Sequence, residues 1–161
     1  MSAGIAGTLA AVSYMAGIGQ QYGQGYVVRF PDFSGRRLDL KTGLSVLREY
    51  DHVLSAAILD ELETLPGGQI HGITDRNRLE ERVLTVSFTW GDRHPRDIAA
   101  ALGEQGVFVC DGNYYALVVT ERLGVEAKGG MGAYWSGARR RSAGNTVEEV
   151  RRLGEVLRAM V

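Results

Sequence analysis

Asp111, Asn113, Tyr114 and Tyr115 lie in one short stretch, DGNYYAL, which brings a carboxylate, an amide and two phenols together. Asp and Asn favour tight turns because their short side chains bond back to nearby backbone, and turns on a rigid scaffold are where binding groups concentrate. The stretch is expected to be a turn that presents Tyr114 and Tyr115 to a substrate. A plainer arrangement, one tyrosine packed under a helix and the other half exposed, is compatible with it.

Other reactive residue types carry less. Cys110 closes the apolar run VFVC; a thiol in a buried strand is inert packing, with burial pushing its pKa up. Ser87, His94 and Asp97 are the types of a hydrolytic triad, but no nucleophile elbow surrounds the serine. His94, followed by Pro95, is expected to start a helix. Gly17, Gly19, Gly23 and Gly25 miss the G-x-G-x-x-G spacing of a dinucleotide fingerprint. His52, His71 and His94 are too scattered for a metal-ligand pattern. The two lysines, Lys41 and Lys128, are expected to be solvated surface charges. Arg139, Arg140 and Arg141 beside Tyr134 and Trp135 make one short basic cluster, expected to be a solvated loop and not a nucleic-acid surface.

The elements that must position these residues follow from periodicity. Ile5, Leu9, Val12 and Ala16 give residues 4–18 an apolar helical stripe. Residues 17–37 are rich in glycine, contain Pro31 and are expected to be a connector with some extended structure over 26–30. Apolar positions from Leu44 to Leu65 recur at three and four, predicting the longest helix over 42–65, stopped by Pro66-Gly67-Gly68. A short strand over 69–73 and a charged loop over 74–81 follow. In the strand predicted over 83–90, Leu84, Val86, Phe88 and Trp90 alternate with Val83, Thr85, Ser87 and Thr89. A helix over 95–104, a strand over 107–110, a helix or helical turn over 113–123, a short strand over 130–135 and a closing helix over 146–160 complete the chain. The fold class is α+β: a small, mostly antiparallel sheet covered on one face by helices.

With 161 residues, 45% of them hydrophobic, the chain can bury a single ordinary core. A formal net charge of -1 gives no general attraction to nucleic acid. One cysteine excludes an internal disulfide and fits a reducing cytoplasm. The apolar N-terminal stretch lacks the basic flank of a signal peptide, and no run has the roughly 18 apolar residues of a membrane span, so a protein without membrane partners is expected.

Several blocks, in order, resemble the C-terminal small domain of pyridoxal-phosphate enzymes of the class V aminotransferase group, in particular its cysteine desulfurase-like branch. They are GIAGTLAAVSYMAGIG, FPDFSGRRLDLKTGLSVLREYD, GITDRNRLEERVLTVSFTW, HPRDIAAALGEQGVFVCDGNYYAL and NTVEEVRRL. The resemblance covers nearly the whole chain. It implies the small domain of a fold-type I enzyme over 42–161, with 1–41 as the helix and connector from the large-domain junction. It also implies a homodimer whose large domain holds pyridoxal 5'-phosphate on a lysine while the small domain closes over an amino-acid substrate.

Against that family, neither Lys41 nor Lys128 stands in a block resembling the cofactor lysine segment. Tyr115 falls about where a desulfurase places its nucleophilic cysteine. Relatives read approximately GGMVRIGLAHYNT, with an arginine that grips the substrate carboxylate. Here GGMGAYWSGARRRSAGNT is five residues longer between GGM and NT, as a frame slip restored before Asn145 would make it, and no arginine aligns to that role. No catalytic, cofactor-binding or metal-binding residue is therefore expected in the chain itself; Asp111, Asn113, Tyr114 and Tyr115 are the substrate-proximal candidates. The expectation is the C-terminal portion of such an enzyme, inactive without its large domain, which is either missing or supplied as a separate chain. The alternative is a non-catalytic binding or dimerisation module.

Overall fold

The computed structural model describes residues 2–134 and 146–161, so the expectations for Trp135, Arg139, Arg140 and Arg141 lie outside the described residues. The chain forms two compact units, Met1–Asp51 and His52–Val161. Thr42 and Gly43 pack within the first of them.

In the first unit, helix α1 (Ser2–Tyr22) runs on through Gly17 and Gly19, and a 3-10 helix follows over Gln24–Arg29. The expected connector from residue 17, extended over 26–30, is thus largely helical. Two of its glycines, Gly19 and Gly23, serve close packing against helix α2 (Gly35–Glu63), the longest among the described residues. A Cβ on Gly19 would overlap the Asp39 carbonyl oxygen, and one on Gly43 would overlap that of Met15. Thr42 is buried between the helices and donates its hydroxyl to the Leu38 carbonyl at 3.0 Å. Gln20 Nε2 donates to Asp39 Oδ2 at 2.7 Å across the same contact. The outer side of α1 stays open: Ile5 and Leu9 are exposed, and with Gly4, Thr8, Val12 and Arg36 they line an apolar groove.

The second unit holds the sheet. Strands β1 (Gly68–His71), β2 (Val86–Trp90), β3 (Cys110–Gly112) and β4 (Met131–Tyr134) lie in the order β1-β2-β4-β3, and every neighbouring pair is antiparallel. The alternation read from the sequence decides which face is covered. Leu84, Val86, Phe88 and Trp90 are buried, while Ser87 and Thr89 are only partly so. Leu54, Ile58 and Leu62 of α2, Ile98 and Leu102 of α3 (Pro95–Glu104), and Val150, Leu153 and Leu157 of α5 (Val147–Ala159) complete this core. Burying a side chain of this size contributes about 1.5–3 kcal/mol.

Local signals fix the ends of these elements. Trp90 Nε1 donates to the Pro66 carbonyl at 2.9 Å, tying the Pro-Gly-Gly stop to β2. The expected charged loop contains a 3-10 helix, Arg76–Glu81, whose return is held by Arg82 donating to the carbonyls of Ile73 at 2.6 Å and Thr85 at 2.9 Å. His94 caps α3 by accepting the Arg96 N–H at 3.2 Å, and Pro95 occupies the first turn, where a missing N–H costs nothing. Thr146 and Glu149 form a reciprocal capping box at the start of α5.

The strand expected over 107–110 is displaced. The Val107 N–H bonds the Leu102 carbonyl and closes α3, so pairing with β4 begins only at Cys110. Cys110 is consequently exposed, which overturns the expectation of a buried, inert thiol.

Candidate functional site

The site grows from the end of β3. Asp111 sits opposite Gly132 in the sheet register and is exposed. Gly112, at φ +116°, then turns the chain into Asn113, a backbone angle that glycine adopts readily. The Asn113 carbonyl accepts the Ala116 N–H at 2.7 Å, closing a turn whose two central residues are Tyr114 and Tyr115. Both tyrosines have left-handed backbone, φ +53° and +61°. Turns with two such residues normally use Asn and Gly, since a side chain there costs about 1–2 kcal/mol per residue.

The asparagine steadies this strained turn. Its Oδ1 accepts the Tyr115 N–H at 3.2 Å, and its Nδ2 donates to Glu126 Oε1 at 3.3 Å. Glu126 Oε2 is bonded to Thr120 Oγ1, and that hydroxyl also lies 2.9 Å from the Leu117 carbonyl. Thr120 is fully buried in helix α4 (Leu117–Arg122), while Leu117, Val118 and Val119 of the same short helix are exposed. Polar group inward and apolar groups outward is the reverse of an ordinary surface helix.

The two phenols end in different places. Tyr114 folds back, its hydroxyl donating to the Cys110 carbonyl at 2.7 Å, whereas Tyr115 is fully exposed. Tyr114, 38% exposed, is the more covered of the two. Asn113, Tyr114 and Tyr115 share one turn, and Asp111 lies just before it at the end of β3. Glu126 and Thr120, which hold it, escaped the sequence reading; Glu126 lies 13 residues from Asn113 with no local pattern linking them. The only signal was Thr120 as the polar residue inside LVVTERL.

The remaining candidates are dispersed. His94 uses Nδ1 as a helix cap, and its ring lies against the Gly129 backbone. Ser87 stands opposite His71 and Ala133 in the sheet. Among the described residues no group of three His, Cys, Asp or Glu side chains could hold a metal ion, and no helix is long and apolar enough to cross a membrane.

Pyridoxal phosphate held on a lysine needs an amine in a shielded site with partners for the phosphate and the ring. Lys41 is exposed over the rings of Phe30 and Phe33, 5.9 and 5.2 Å from their centroids. Lys128 is exposed and paired with Asp92 at 2.7 Å, a bond that holds the Asp92 carboxyl below its ordinary pKa. Neither environment fits the cofactor.

The fold is α+β with a small antiparallel sheet, and residues 37–153 match the pattern of Aminotransferase class-V. The chain belongs to that family, and the relatives it is similar to are cysteine desulfurases. It is 35% identical over 85 residues to a probable cysteine desulfurase of Streptomyces coelicolor and 32% identical over 85 residues to a cysteine desulfurase of Cronobacter sakazakii. Each match covers 53% of this chain and 20% of the relative. In fold it is similar to the crystal structure of the cysteine desulfurase CsdA from Escherichia coli, with a TM-score of 0.56 and 18% identity over 76% of this chain and 29% of that one. The stretch matched to the curated relatives is about a fifth of their length. Enzymes of this family generally depend on pyridoxal phosphate.

Proposed function

We propose that this chain is the C-terminal small-domain portion of a cysteine desulfurase-like enzyme that acts on an amino-acid substrate in the cytoplasm. In this reading residues 1–41 belong to the junction with a large domain, and 42–161 form the small domain. The pyridoxal-phosphate lysine resides in the large domain, and the assembled protein is a homodimer. The turn carrying Asp111, Asn113, Tyr114 and Tyr115 faces the substrate when the two parts close. The chain alone is inactive.

One observation carries this reading: the chain has two lysines, and both are exposed and engaged elsewhere. The match to only a fifth of the relatives' length agrees with it. The test is titration of the purified chain with pyridoxal phosphate. No absorption band of lysine-bound cofactor is expected; a saturable band lost in Lys128→Ala or Lys41→Ala would overturn the assignment.

A second reading, a non-catalytic binding or dimerisation module, is favoured by the exposed Leu117, Val118 and Val119, consecutive on α4. Such a run of exposed apolar side chains is characteristic of a surface that meets another polypeptide. It predicts a defined dimer of the chain by itself, seen as a concentration-dependent mass in light scattering, without any added large domain.

A further inference from the structure

Glu126 bridges the tyrosine turn and α4. Its two carboxylate oxygens are divided between Asn113 Nδ2 and Thr120 Oγ1, and Thr120 is the buried residue of α4. A carboxylate acting as an acceptor determines which end of the Asn113 amide faces it, because only the NH2 end can donate. The Asn113 oxygen is then directed to the Tyr115 N–H, and that bond supports the left-handed backbone at Tyr115. With an apolar residue at 126, neither the amide orientation nor the Thr120 hydroxyl would be fixed by this contact.

We propose that Glu126 is a positioning residue for the candidate substrate turn: through the Asn113 amide it sets the backbone that projects Tyr115, and through Thr120 it locks that turn to α4. The substrate role of the turn rests on the function proposed above; the clamp itself does not. The clamp works by hydrogen bonding. A glutamine at 126 retains it, with the amide oxygen accepting from Asn113 and the NH2 group donating to Thr120 Oγ1, whose own proton goes to the Leu117 carbonyl.

The experiment is amide hydrogen exchange, followed residue by residue in the intact chain. Glu126→Ala is expected to speed exchange at the Tyr115 and Ala116 amides by about tenfold, with the amides of Val86 and Phe88 in β2 unchanged. Glu126→Gln should stay near the unsubstituted rates. Asn113→Asp places two carboxylates face to face and should release the turn, whereas Asn113→Asp with Glu126→Gln restores a donor and should recover it. Unchanged Tyr115 exchange in Glu126→Ala would overturn the clamp. So would an equal rise across β2, or a double variant no better than Asn113→Asp alone. None of these readouts involves a substrate, so their failure condemns the clamp and not the enzyme reading. Conversely, unchanged KM and kcat for Tyr115→Ala in the complex with a large domain would condemn the substrate role alone.

Discussion

The side-chain oxygen of Asn113 accepts the backbone N–H of Tyr115 at 3.2 Å, two residues further along a turn in which Tyr114 and Tyr115 both have positive φ. An Asx bond of this kind suits a turn made of small residues, yet here it supports two bulky ones. Tyr115 is fully exposed, so its left-handed conformation is not repaid by packing of its own ring among the described residues.

Replacing Tyr115 by glycine should therefore stabilise the chain, by about 1 kcal/mol, the cost of a side chain in left-handed backbone. Tyr115→Ala, which keeps a Cβ, should leave stability nearly unchanged. Urea unfolding of both variants decides the matter: a Tyr115→Gly midpoint at or below that of the unsubstituted protein would show that the phenol contributes more than its exposure implies.

Two glycines of α1 should respond in opposite directions to the same substitution. Gly19→Ala drives a methyl group into the Asp39 carbonyl and is expected to destabilise the chain by about 1–3 kcal/mol, the range for overpacking. Gly17 has nothing near its Cβ position, so Gly17→Ala should gain up to about 1 kcal/mol of helix propensity. Thermal unfolding followed by circular dichroism gives both signs. Equal effects would mean that α1 and α2 do not approach as closely as described.

His71 supplies a pH dependence. Its Nε2 lies 3.1 Å from Thr89 Oγ1 on the open side of the sheet, and partial burial lowers its pKa from the ordinary 6.5. The folded state then prefers the neutral ring. The contribution is intact above about pH 6.5 and declines as the pH falls from there through the lower folded value, because the unfolded chain binds the proton more readily. His71→Gln should keep a hydrogen-bonding group beside Thr89 and flatten stability between about pH 5 and 7 relative to the unsubstituted protein. Parallel curves for the two proteins would refute the assignment.

Much of this fold was legible because its determinants are local. The helix expected over 95–104 appears as Pro95–Glu104, bounded by a histidine cap, a first-turn proline and the glycine at 106. The alternation from Leu84 to Trp90 gave the covered face of β2 correctly. What escaped depends on partners distant in sequence. Gly19 and Gly23 read as loop residues because glycine disfavours helices, yet each sits where a second helix passes too close for a side chain. Cys110 read as buried because its neighbours are apolar, yet pairing with β4 starts at that residue and leaves it outside the core. At the candidate site, Asn113 announced a turn, but neither the left-handed tyrosines nor the Glu126 contact has a local signature.

The most direct test of the account is a desulfurase assay on the purified chain with pyridoxal phosphate and L-cysteine, measuring sulfide release. The predicted result is a rate no greater than that of free pyridoxal phosphate, because neither lysine of the chain is placed to hold the cofactor. Turnover by the chain alone above that background, abolished by Lys128→Ala or Lys41→Ala, would contradict it.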